Sequence, residues 1–140
     1  MVKRPILSES AKKIFKLGEC QDYAVALFHL NGGDLIYVRD NDYNELLHCL
    51  LKVDSVFYDV SVDLDRSELR PYLEDEFFSE DFSILRGDSA LRSLSYFYDG
   101  FDFINLADFV NFLDKKIIKL TNFGKVETAS ALQELRQNFK

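Results

Sequence analysis

Cysteine, proline, methionine and tryptophan are scarce in this 140-residue chain, at two, two, one and none. Two cysteines, Cys20 and Cys49, are too few for a disulfide framework and fit a reducing compartment. Uncharged apolar stretches such as Leu46 to Leu51 stay far below the roughly 20 residues a membrane helix needs. The first residues carry Lys3, Arg4, Lys12, Lys13 and Lys16 and no apolar core, so neither a secretory signal nor a membrane anchor is expected, and the expected address is cytoplasmic. Repeats, low-complexity tracts and Pro- or Gly-rich linkers are missing, which leaves one domain over residues 1–140.

Aromatic residues are plentiful. Thirteen Phe and seven Tyr within 47% hydrophobic content supply a core that needs no metal or disulfide. The net charge of −7 hides three blocks: residues 1–17 carry +4, residues 18–114 carry −15 and residues 115–140 carry +4. So acidic a body repels phosphate backbones, which argues against nucleic acid, and attracts basic partners or cationic substrates.

Periodicity predicts a short basic helix begun at Ser8 or Ser10 and ended by Gly18. A second helix follows from Cys20, with Tyr23, Ala24, Leu27 and Leu30 on one stripe, and stops at Gly32-Gly33. Leu35 to Val38, Leu46 to Val53 and Val56 to Val62 read as three strands, the last two joined by a tight Asp54-Ser55 turn. A helix over Asp63 to Leu73 is expected to break at Pro71 and give way to an acidic loop, Glu74 to Asp81. Ala90 to Tyr98 suits helix or strand, Asn105 caps a strong helix through Ile117, and a further helix covers Val126 to Phe139. The expected class is α+β: an N-terminal helix carrying Cys20 on a small antiparallel sheet, with additional C-terminal helices.

Three residues in this framework have the types and order of thiol chemistry. Cys20 opens a helix, where unpaired N–H groups and the helix dipole favour thiolate. His48 lies in a strand, a rigid mount for a general base. With Asp54-Ser55 as the turn, Asp59 falls opposite Leu50 and diagonal to His48 on the same face, able to hold the imidazole. Cys49 points to the other face of that strand and reads as core. His29 is about two and a half helical turns from Cys20, too far to serve. The His and Cys spacings do not suit a zinc module, and neither metal nor cofactor is expected.

The segments Gly18-Glu19-Cys20-Gln21-Asp22-Tyr23-Ala24, Leu46-Leu47-His48-Cys49-Leu50 and Val56-Phe57-Tyr58-Asp59 together resemble the papain-like superfamily, most closely its transglutaminase-like branch, over residues 18–60 only. That resemblance implies a Cys20 nucleophile, a His48 base and acid and an orienting Asp59, in an active or a degenerate form. The implied reaction is amide hydrolysis, deamidation or acyl transfer on a peptide, protein or small amide substrate, cationic in view of the acidic body. A different class fits the composition equally: a non-enzymatic acidic protein, such as a toxin-neutralising immunity or inhibitor protein, that meets a basic partner. In that reading Glu74 to Asp81 is the charged rim and Phe77, Phe78 and Phe82 are the aromatic anchors.

Overall fold

In the computed structural model, which describes residues 2–77 and 81–139, Ser8 accepts a hydrogen bond from the Ala11 backbone and Gly18 closes the last turn, so helix α1 spans Glu9–Leu17. Helix α2 covers Cys20–Asn31 and stops where Gly32 adopts a positive φ of 73°. Gly33 also has positive φ, and a Cβ there would lie 2.6 Å from the Lys52 carbonyl oxygen, so only glycine permits this close approach to the sheet.

Strands β1 (Asp34–Asp40), β2 (Glu45–Val53), β3 (Val56–Tyr58), β4 (Asp63–Leu64) and β5 (Phe82–Leu85) form one antiparallel sheet in the order β4-β3-β2-β1-β5. The β2–β3 hairpin has the expected turn and register, with Val53 opposite Val56 and Lys52 opposite Phe57. The third strand is shorter than expected: it ends at Tyr58, and the chain turns at Asp59 before pairing again as β4. β2 carries a bulge, because Val38 pairs with His48 while Arg39 pairs with Leu46, leaving Leu47 as the extra residue.

Helix α3, Arg66–Phe77, runs through Pro71 instead of breaking there. The stripe Leu69, Leu73, Phe77 continues past the proline and packs on the sheet, which outweighs one lost backbone hydrogen bond. The expected acidic loop is therefore partly the last turn of this helix. The ambiguous segment is also helical: α4 is Gly87–Ser95, with Ala90 and Leu94 buried. Helices α5 (Leu106–Asn122, capped by Asn105) and α6 (Val126–Arg136) complete the α+β fold.

Strand alternation sorts the core onto two faces. Leu35, Tyr37, Cys49 and Leu51 join the larger cluster with α1, α2, α4, α5 and α6. Ile36, Val38, Leu50 and Phe57 join Leu69 and Leu73 beneath α3, on the opposite face. The N-terminal segment is tied to α6 and the residues that follow it: the Ser8 N–H donates to Glu134 Oε1 and the Ile6 N–H to Asn138 Oδ1.

Candidate functional site

The His48–Asp59 pair forms where the hairpin register places it. The imidazole Nε2 lies 2.8 Å from Asp59 Oδ2, and both residues are buried, at 2% and 3% exposure. Asp59 collects more than the histidine. Its Oδ1 accepts the Ser61 and Val62 backbone N–H groups, both at 2.8 Å, and its Oδ2 also accepts the Tyr72 hydroxyl of α3 at 2.8 Å. The side chain thus closes the β3–β4 turn as an Asx turn and pins α3 over it. Burial alone raises such a carboxyl, but the hydrogen bond and charge of His48, with the Ser61 and Tyr72 donors, bring it down to about 2. The same carboxylate, after burial, pushes the Tyr72 hydroxyl upward. Phe77 covers the imidazole, its ring centroid 4.9 Å away, so a substrate reaches His48 only if α3 moves.

Cys20 does not join this pair, which corrects the expected Cys20–His48–Asp59 triad. It opens α2 as expected, but α2 packs on the face carrying Cys49 and Leu51, whereas His48 faces α3. The sheet separates thiol from imidazole. The helix N-terminus also fails to favour thiolate. Burial pushes the Cys20 thiol up to about 12, with a backbone hydrogen bond from Cys49 opposing and the Asp22 charge adding to the rise. Cys49, fully buried beside it, is raised as well and is core, as expected.

Around Cys20 the structure builds an ion network that its sequence neighbourhood gives little sign of. Lys116 of α5 bonds Glu19 and, at 2.7 Å, Asp22, whose other oxygen accepts the buried Tyr98 hydroxyl at 2.9 Å. Burial pulls Lys116 down, yet Asp22 and Glu19 outweigh it and raise the ammonium. Burial raises Glu19 against the pull of Lys116. These charges answer one another and fasten α2 to α5, a packing role.

Exposed carboxylates stand around the β1–β2 turn and on the last turns of α3. Asp42, Glu45 and Asp81 are exposed around the β1–β2 turn, which Asn41 joins to Asp81 by a backbone bond of 3.2 Å and a side-chain bond of 2.9 Å. Asp75 and Glu76 are exposed on the last turns of α3. Among the described residues only Glu76 of these five is ion-paired, at 3.9 Å from Lys16. Of the expected aromatic anchors, Phe82 is buried in the sheet and Phe77 packs over His48, while Phe78 lies outside the described residues. The aromatic residue standing out at this end is Tyr43, 75% exposed in the β1–β2 turn.

No family model, no curated protein and no solved structure matches the chain. No described helix is long and apolar enough to cross a membrane, and no group of three or more metal-ligating side chains occurs among the described residues.

Proposed function

We propose that this chain is a non-enzymatic binding protein that meets a basic protein partner through the acidic end of its α3 layer. The observation that carries the reading is the pair of exposed carboxylates Asp42 and Asp81 at the β1–β2 turn that projects Tyr43, with Asp75 exposed on the last turns of α3, none of the three ion-paired among the described residues. Such a surface steers a cationic partner by long-range attraction, and a central Tyr supplies a rigid anchor of low conformational entropy. A toxin-neutralising immunity or inhibitor protein works in this way, with affinity residing in the contact. Thiol acyl transfer has less support, since it needs the Cys20 thiolate beside His48.

The test is association with a basic partner isolated on the immobilised protein and then measured with purified components. The expected association rate falls at least about tenfold between roughly 50 and 500 mM salt. Tyr43→Ala combined with Asp42→Asn and Asp81→Asn is expected to weaken binding about a hundredfold while leaving unfolding unchanged. Salt-insensitive binding, or full affinity in that variant, overturns the reading.

A further inference from the structure

The other end of the α3 layer holds a basic cleft. A cleft of about 320 Å³ between α3 and the sheet is lined by Lys52, Arg66, Arg70 and Arg86 over an apolar floor that includes Phe57 and Leu69. Among the described residues no carboxylate lines it. Four of the six basic residues between positions 18 and 114 therefore meet at one place in the most acidic block of the chain.

Their placement follows from the fold. Arg66 and Arg70 are four residues apart on α3 and share a face. Lys52 comes from the β2–β3 hairpin, and Arg86 directly follows β5. Among the described residues none of the four forms an ion pair or a side-chain hydrogen bond. Two are held by aromatic faces: the Arg70 guanidinium is 4.5 Å from the Phe82 ring centroid, and the Lys52 ammonium is 5.8 Å from that of Phe57. Held this way, they keep their N–H donors for something else. Four like charges around one cleft repel one another, so the arrangement favours occupation by an anion.

We infer that this cleft binds a small phosphorylated anion carrying two or more phosphate charges. Three guanidinium groups present planar forks that match phosphate oxygens in pairs, and the ammonium adds a point charge. The volume is at the small end of ligand pockets, which admits a diphosphate with a modest organic group against Phe57 and Leu69 and excludes a folded partner. This site is independent of the acidic surface proposed above, since it uses other residues at the other end of α3.

The experiment is calorimetric titration of the intact protein with sodium pyrophosphate at low salt, with citrate as a carboxylate polyanion in parallel. Binding tighter than about 100 μM is expected, with citrate at least about tenfold weaker. Arg66→Gln with Arg86→Gln is the main variant, because both side chains are exposed and unpartnered, so the fold is expected to persist. It should weaken pyrophosphate at least about tenfold and abolish the rise in melting temperature that pyrophosphate gives the parent protein. Lys115→Gln with Lys119→Gln, on distant α5, removes the same charge and should change nothing. No binding near 1 mM pyrophosphate overturns the inference. So does equal affinity for citrate, or an equal loss in the α5 variant, which would mark a general charge effect.

Discussion

The two faces of the sheet are held by different means. On the α2 face, α2 and α4 pack on the strands and α1, α5 and α6 build outward from them, so apolar burial is deep. On the α3 face a single twelve-residue helix with Pro71 inside it covers a smaller cluster. There the buried Asp59 bonds both the buried His48 and the half-buried Tyr72, and also fixes its own turn. A thin layer that cannot bury enough carbon gains its register from directional polar bonds, which cost much when one partner is removed. The thick layer also holds a buried polar bond, Tyr98 to Asp22, but there it belongs to the ion network that joins α2 to α5 and fixes no strand turn.

Breaking the polar side should have the largest effect. Asp59→Ala strands the imidazole, the Tyr72 hydroxyl and two backbone donors, and is expected to cost about 3–5 kcal/mol in urea unfolding. A loss below about 1 kcal/mol would end the contrast between the faces. Acid provides a milder version of the same break. Because the folded Asp59 carboxyl is depressed to about 2, its contribution is present above the unfolded value near 4 and is lost as pH falls from about 4 to about 2. That contribution is about 2 kcal/mol, and Asp59→Asn should remove this part of the acid sensitivity.

Tyr72→Phe and Tyr98→Phe sharpen the comparison, since each deletes one hydroxyl bonded to a buried carboxylate, on opposite faces. Each is expected to cost about 1–2 kcal/mol, and a much smaller loss for Tyr98 would confine polar fastening to the α3 side. The smallest effect concerns Cys20. With Cys49→Ser in place, alkylation of the native thiol at neutral pH should be far slower than in the unfolded chain, and His48→Ala should alter the native rate by less than about twofold. Loss of native reactivity with His48 would instead connect the two faces.

Local signals were well read from the sequence. Ser8, Asn105 and the glycines at 18 and 32 mark helix ends, and the Asp54-Ser55 turn set a register that joined His48 to Asp59 correctly. The α+β class followed from the same signals. The error at Cys20 came from a property no local pattern contains, namely which face of the sheet α2 covers. Strand parity told that Cys49 and His48 point apart, but not which of them α2 would meet. The continuation of α3 was visible in the spacing of Leu69, Leu73 and Phe77, and Pro71 masked it. Arg66 and Arg70 stood four apart in plain view, whereas Lys52 and Arg86 reach them only through the fold. The bulge at Leu47 left no trace in the sequence pattern.

The bonds of Ile6 and Ser8 to Asn138 and Glu134 bear on the timing of synthesis. These partners are separated by 132 and 126 residues, so α1 leaves the ribosome long before the helix it packs against. At roughly 5–20 residues per second α1 waits many seconds with Ala11 and Ile14 uncovered on its α6 side. The charge of +4 over residues 1–17 opposes self-association of that uncovered face by like-charge repulsion.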